Sequence, residues 1–272
     1  MTAAPVISIE EFQRHSDSNW IVFDCRFNLA DTEEGQLAYN DGHIPSSHYL
    51  HLDNHLSGAK AKHGGRHPLP SPEQFATTMT GFGVNRDTTV IAYDDNRFAY
   101  ASRLWWLLRY FGHTEVYVLD GGYSGWRKQG LPISKEASVV QGEGNFKAQP
   151  QTGWTVDYKN ICEQLENPRR LLIDSRETPR YQGLQEPIDP IAGHIPGAAN
   201  FPWQEVTDEH GFARCPSHQK QRLSLLKEDK EIVVYCGSGV TACVNLLAME
   251  MAGIHDAKLY PGSWSDWCSY ET

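Results

Sequence analysis

No apolar run in these 272 residues approaches the length of a membrane span. The opening Met1-Thr2-Ala3-Ala4-Pro5 carries neither the basic cluster nor the apolar stretch of a secretory signal. Basic residues are scarce, with 24 Lys and Arg against 34 Asp and Glu and a formal net charge of −10. Nucleic-acid backbones and anionic lipid surfaces are bound by clustered Lys and Arg. A general nucleic-acid binder and a membrane partner are therefore not expected, while a local basic pocket for a small anion stays open. The six cysteines, Cys25, Cys162, Cys215, Cys236, Cys243 and Cys268, include no C-x-x-C pair, and their scatter makes no disulfide framework. Reduced thiols in a cytoplasmic protein are the simplest expectation. The 40% hydrophobic and 21% charged make-up is that of a globular chain long enough for two small domains or one large one.

What the chain does have is a copy of itself. Ile21-Val22-Phe23-Asp24-Cys25-Arg26 returns as Leu171-Leu172-Ile173-Asp174-Ser175-Arg176, and Gly42-His43-Ile44-Pro45 as Gly193-His194-Ile195-Pro196. Val90-Ile91-Ala92-Tyr93 returns as Ile232-Val233-Val234-Tyr235. Leu119-Asp120-Gly121-Gly122 with Trp126 returns as Leu259-Tyr260-Pro261-Gly262 with Trp267. The order is the same in both halves, so one domain type is used twice. Thr89 to Tyr93 reads as a buried strand, Ala101 to Phe111 as an amphipathic helix and Glu115 to Leu119 as the next strand. This alternation predicts an α/β fold in which a mainly parallel sheet is flanked by helices on both faces. The polar stretch 134–152, with Gly142 and Gly144, reads as a linker between domains at 1–133 and 153–272.

The duplication also separates scaffold from chemistry. Asp-x-Arg and Gly-His-Ile-Pro occur twice and read as fold devices. Cys236-Gly237-Ser238-Gly239-Val240-Thr241 occurs once; in the first half Tyr93 is followed by Asp94-Asp95-Asn96-Arg97. A cysteine at the carboxyl end of a strand, followed by small residues that open a helix, is a way to build a thiolate. Backbone N–H groups curl around the sulfur and the helix N-terminus adds its positive end. Both favour the nucleophilic form of Cys236 over a merely structural thiol. The first half is expected to be catalytically silent and the second catalytic.

Together, the paired Asp-x-Arg and Gly-His-Ile-Pro motifs, the single cysteine loop and the closing Gly-x-x-x-x-Trp resemble the tandem rhodanese sulfurtransferases over nearly the whole chain. The resemblance implies two rhodanese-like domains with parallel five-stranded sheets and an active site where the domains meet. It also implies that sulfur passes through a persulfide on Cys236 to a thiol or cyanide, with no metal and no organic cofactor. The uncharged loop at 237–241 and the ending Gly262-Ser263-Trp264-Ser265-Asp266-Trp267 look like the 3-mercaptopyruvate branch. The thiosulfate branch typically carries Arg and Lys directly after the cysteine. A thiosulfate-preferring enzyme and a persulfide relay protein serving a partner enzyme stand as alternatives. A thioredoxin-like reductant or a sulfur-relay protein would be the matching protein partner.

The same resemblance assigns further residues. Ser238 matches a serine that relays a proton; loop shape alone also accommodates it. Arg180 matches an arginine that holds the substrate carboxylate. A second arginine usual in this branch falls near Ile188, where this chain has none. Asp53 and His67, from the first half of the sequence, align with an Asp and a His that assist the serine; solvated loop residues are the competing reading. Gly237, Ser238, Gly239, Val240 and Thr241 would line the substrate. The crowded His48, His51, His55, His63 and His67 lack cysteines and tight spacing, so no metal is expected. Cys243, among apolar neighbours, reads as a core thiol, with a disulfide to Cys236 under oxidation as the other reading. The related fold of dual-specificity phosphatases would need C-x5-R, and the position six beyond Cys236 is Ala242.

Overall fold

Nine short strands alternate with helices in the computed structural model, which describes residues 4–15, 19–224, 226 and 230–271. The chain forms two compact units. The first gathers Met1–Gly58, Pro70–Gln151 and Thr207–Ala213; the second gathers Ala59–Leu69, Thr152–Val206 and Arg214–Thr272.

In the first unit β1 (Val6–Ile7), β2 (Trp20–Asp24), β3 (Ser47–Tyr49), β4 (Thr89–Tyr93) and β5 (Val116–Leu119) form one sheet in the order β1-β5-β4-β2-β3. Every pairing is parallel. β4 is apolar on successive residues because helices cover both faces of such a sheet, and its last four residues are buried. The expected helix runs Ala101–Tyr110, with Ala101 to Leu108 all buried. The stretch 134–151 packs on this unit. His43 and Ser134 exchange backbone hydrogen bonds at 2.9 Å, Phe146 lies edge-on to Phe75, and the Gln151 N–H donates to Tyr110 O at 2.8 Å.

In the second unit β6 (Arg170–Asp174), β7 (Ala199–Asn200), β8 (Glu231–Tyr235) and β9 (Lys258–Leu259) follow the order β7-β6-β8-β9, again parallel. Thr155 adds a single parallel bridge to Leu259 where the first unit has β1. The helix Ala242–Ala252 is apolar all round, and only Glu250 and Met251 escape full burial. A helix of that kind belongs in a core. It stops at Gly253, whose φ of 85° closes the helix in the left-handed conformation glycine adopts without strain.

The repeated motifs form one lock, built twice. Arg26 Nη2 donates to Asp24 Oδ2 at 2.6 Å and to the Gly42 carbonyl at 2.7 Å. Arg176 Nη2 makes the same pair of bonds to Asp174 and Gly193, both at 2.6 Å. The strand-terminal tyrosines complete it: Tyr93 Oη receives the Ile44 N–H at 3.2 Å and Tyr235 Oη the Ile195 N–H at 3.1 Å. A buried guanidinium requires its anion and its carbonyl together, so each lock fixes the turn leading into one strand against the ends of two others.

Candidate active site

β8 delivers Cys236 at its carboxyl end, where the side chain is 1% exposed. The loop then turns sharply before the helix opens at Ala242. Gly239 makes this turn possible: its φ is 77°, and a Cβ there would collide with the Pro261 carbonyl. Folded this way, the Gly239 N–H donates to Cys236 Sγ at 3.1 Å, aiming a backbone dipole at the sulfur where negative charge gathers. The closing turn holds the loop from outside. Ser263 Oγ accepts the Cys236 N–H at 3.1 Å and donates to Tyr260 O at 2.9 Å. The N–H groups of Trp264 and Ser265 bond Cys236 O and Gly237 O at 3.0 and 2.9 Å. Cys243, the second residue of that helix, is buried and donates to Gly239 O at 3.5 Å.

The strip Ala59–Leu69 lies in this unit and brings His67 to the loop: His67 Nδ1 and Ser238 Oγ are 2.7 Å apart, and both residues are buried. Neighbouring bonds fix the strip. Gly64 N–H donates to Asp266 Oδ1 at 2.6 Å, Arg66 N–H to Ser265 Oγ at 3.1 Å, and His63 Nδ1 meets Ser269 Oγ at 2.8 Å. Arg180, at the end of the short helix Thr178–Tyr181, faces the same loop. A Cβ on Gly237 would stand 3.6 Å from both of its terminal nitrogens and 3.0 Å from Arg66 Nη2.

Those guanidiniums belong to a chain of alternating charges. Asp174 pairs with Arg176 and Arg176 with Glu186 (3.1 Å). Glu186 pairs with Arg180 (2.6 Å), Arg180 with Asp189 (3.4 Å) and Asp189 with Arg66. Burial raises the Glu186 carboxyl, but the Arg180 hydrogen bond and charge, with the Asp189 and Ile188 N–H groups, outweigh it and leave it lowered. Burial and the neighbouring Glu186 charge push Asp189 up against the pull of Arg66, Arg180 and Arg176.

Cys236, Gly237, Ser238, Gly239, His67 and Arg180 thus come together in the second unit. Val240, 4% exposed, and Thr241, which precedes the helix, complete the loop. Asp53 belongs to the first unit, in the first turn of the short helix Leu52–His55. The five histidines do not converge on one point. His51 caps that short helix, His48 and His55 pack by Phe82, His63 stacks on Tyr270, and His67 meets Ser238. Among the described residues no group of three or more His, Cys, Asp or Glu is placed to hold a metal ion.

Arg66, Glu186, Asp189 and Ser263 were not singled out in the sequence. Arg66 had a signal in its place beside His67, and Ser263 in the closing Gly-Ser-Trp. Glu186 and Asp189 sit beside Ile188, where an arginine was expected. Ile188 itself is 45% exposed.

The equivalent loop of the first unit holds a carboxylate where the second has sulfur. Asp94 follows β4 as Cys236 follows β8. Asp94 Oδ1 accepts the N–H groups of Asn96 and Phe98 at 2.9 and 3.1 Å, and Oδ2 those of Tyr100 and Ala101, both at 2.9 Å. The loop closes on its own side chain, with Arg97 and Phe98 at positive φ to do so.

Comparison with known proteins agrees with this architecture. The rhodanese-like domain model matches residues 8–129 and 158–270. The chain is 40% identical to a probable 3-mercaptopyruvate sulfurtransferase of Pseudomonas aeruginosa over 98% of this chain and 96% of that one. It is 33% identical to the thiosulfate sulfurtransferase of Bos taurus, over 90% of this chain and 84% of the relative. Its fold superposes on the crystal structure of the 3-mercaptopyruvate sulfotransferase SseA from Escherichia coli with a TM-score of 0.84. The identity there is 32%, over 97% of this chain and all of that one.

Proposed function

The chain belongs to the rhodanese family and is a sulfurtransferase, and on that premise we propose that it moves sulfur from 3-mercaptopyruvate to a thiol or cyanide through a persulfide on Cys236. The observation that carries this reading is the junction of Cys236 with a proton-handling pair and no charged residue in the loop between: His67 Nδ1 lies 2.7 Å from Ser238 Oγ, two residues beyond the sulfur.

The chemistry follows from those groups. The Cys236 thiolate attacks the sulfur of 3-mercaptopyruvate. The S–S bond forms as the S–C bond breaks, and the electron pair of that bond leaves on the pyruvate enolate. The loop N–H groups stabilise the charge on sulfur. The enolate carbon needs a proton; Ser238 donates it and is resupplied through His67, whose Nδ1 lies within hydrogen-bond reach of the hydroxyl. The donor's own S–H proton balances this one, so pyruvate departs and Cys236 keeps one extra sulfur. An acceptor thiolate or cyanide then attacks the outer sulfur and returns Cys236 to its thiolate. For Asp53 the family resemblance is the support, and Asp53→Asn kinetics test whether it assists the serine.

Side-by-side kinetics with 3-mercaptopyruvate and thiosulfate, using one acceptor, decide the donor. We expect kcat/KM to favour 3-mercaptopyruvate. Mass spectrometry after donor treatment should find one added sulfur on Cys236 and none in Cys236→Ala. A thiosulfate kcat/KM equal to or above the other overturns the donor choice. Added sulfur on a different cysteine overturns the nucleophile.

A further inference from the structure

The two units end their sheets with the same turn, and one position in it differs in kind. The helix Gly122–Lys128 follows β5 as the helix Ser263–Glu271 follows β9. The Tyr123 N–H donates to Asp94 O at 2.9 Å, and the Trp264 N–H to Cys236 O at 3.0 Å. These bonds place Gly122 opposite Ser263, one position beyond the Gly122–Gly262 pairing that the sequence suggests. The backbone is alike at both: φ is 53° at Gly122 and 58° at Ser263, a left-handed conformation that glycine enters freely and other residues enter under strain. A Cβ at Gly122 would collide with the Asp94 carbonyl. The second unit accommodates a whole side chain there, fully buried, and bonds it on both sides. Ser263 Oγ accepts the Cys236 N–H at 3.1 Å and donates to Tyr260 O at 2.9 Å.

We propose that Ser263 is a positioning residue for the nucleophile: from a strained backbone, its hydroxyl fixes the Cys236 peptide so that Sγ stays aimed at the Gly239 N–H. The bond from the closing turn to the carbonyl, made by Tyr123 in one unit and Trp264 in the other, is common to both and belongs to the scaffold. The hydroxyl on the Cys236 N–H exists only in the unit that must aim a sulfur. In the first unit the Asp94 carboxylate takes four N–H groups of its own loop and is held by them. Sulfur is a weaker acceptor than a carboxylate and cannot hold its loop in that way. The orientation of Cys236 must therefore come from its backbone, gripped at N–H and C=O by successive residues, Ser263 and Trp264. Strained backbone persists where the surrounding bonds over-determine it, and here both sides of the hydroxyl are engaged. The same sulfur attacks the donor and is later the leaving group when the acceptor takes the outer sulfur. Loss of its aim slows both halves of the reaction, whereas loss of the Ser238–His67 pair slows the first. This role rests on Cys236 being the nucleophile, as proposed above.

The test compares wild type, Ser263→Gly and Ser263→Ala. Glycine removes the hydroxyl and the strain together; alanine removes the hydroxyl and keeps the strain. Ser263→Gly should therefore melt at a higher temperature than Ser263→Ala, while both lose activity alike. Single-turnover persulfide formation on Cys236, read by mass spectrometry with whichever of 3-mercaptopyruvate and thiosulfate the wild type prefers, should slow roughly tenfold in both, the size of one lost buried hydrogen bond. Discharge of preformed persulfide to cyanide, read as thiocyanate, should slow by a similar factor, and the donor KM should move by no more than about twofold. Wild-type rates in both variants overturn the proposal. Rates that follow the melting temperatures overturn it too, since Ser263 would then support the fold alone. A loss confined to persulfide formation would assign Ser263 to the proton relay, and a raised KM with unchanged kcat would make it a substrate contact; either result ends the positioning role. Added sulfur on a cysteine other than Cys236 would sink the nucleophile reading and this role with it, whereas unchanged rates with the sulfur on Cys236 would sink this role alone. Should Ser263→Ala fail to fold, Ser263→Gly against wild type is read by the same two half-reactions.

Discussion

His67 Nδ1 and Ser238 Oγ stand 2.7 Å apart, both buried, although 171 positions of chain separate them. A hydroxyl held this way has its proton directed by the imidazole, and which atom donates follows the tautomer. In the reaction proposed above, the pair acts on the leaving fragment and not on the nucleophile.

If the two residues form one relay, removing either should cost nearly as much as removing both. Ser238→Ala and His67→Ala should each lower kcat with 3-mercaptopyruvate by roughly 10²- to 10³-fold. The double variant should be little worse than either single one. Additive losses in a double-mutant cycle would separate the residues. The acceptor half-reaction, started from preformed persulfide, should be affected far less.

Thiol labelling should follow the surroundings of each cysteine. Burial, with the charges of Asp24 and Asp94, pushes the Cys25 thiol up; burial and the Asp189 charge push Cys268 up to about 11. A hydrogen bond with Ser217 pulls exposed Cys215 down. At neutral pH iodoacetamide should therefore modify Cys215 well before Cys25 or Cys268. Activity should survive that first modification and disappear in step with labelling of Cys236, followed by peptide mass mapping.

Acid should loosen the second unit through Glu186. Its carboxyl is held below its ordinary 4.5 in the folded chain, so its contribution to stability is full above that pH and lost as pH falls through the folded value. Asp189, raised on folding, has the opposite sign and softens the loss. The melting temperature should decline as pH drops below about 4.5, and Glu186→Gln should flatten that decline. An identical acid limb in the variant would remove Glu186 as its source.

In the first unit, Asp94→Ala would leave four N–H groups facing inward with no acceptor. Each such group costs about 1–3 kcal/mol, and partial relaxation should leave a net loss of about 3–5 kcal/mol. Chemical denaturation reads this directly. A loss below about 1 kcal/mol would show that the loop finds other acceptors.

The strand Thr89–Tyr93 and the helix beginning at Ala101 were legible because periodicity and burial act locally. The loop that sets Cys236 apart was legible because the duplication supplied an internal control, Asp94 against Cys236. The duplication also exposed Asp-x-Arg and Gly-His-Ile-Pro as paired devices, although not that each arginine bonds the glycine carbonyl of its partner motif. Arg66, Asp189 and Ser263 stayed hidden for a different reason. An arginine among loop residues has no signature of its own; its meaning arises from Asp189, 123 positions away, and that meeting exists only in the folded chain.

The strip Ala59–Leu69 gives the second unit a history as well as a shape. During synthesis it emerges before any other part of that unit and must wait for the last helix, Ser263–Glu271, before Gly64 can reach Asp266 or His63 can reach Ser269. Contacts that close loops of more than 200 residues are among the slowest to form, because chain entropy is lost before any contact rewards it. His67, which meets Ser238, rides on this strip. A chain released before its final turns are made would therefore lack the Ser263–Ser265 clasp on the Cys236 loop as well as the contacts that fix this strip. The surroundings of Cys236 are complete only when the two ends of one unit have found each other.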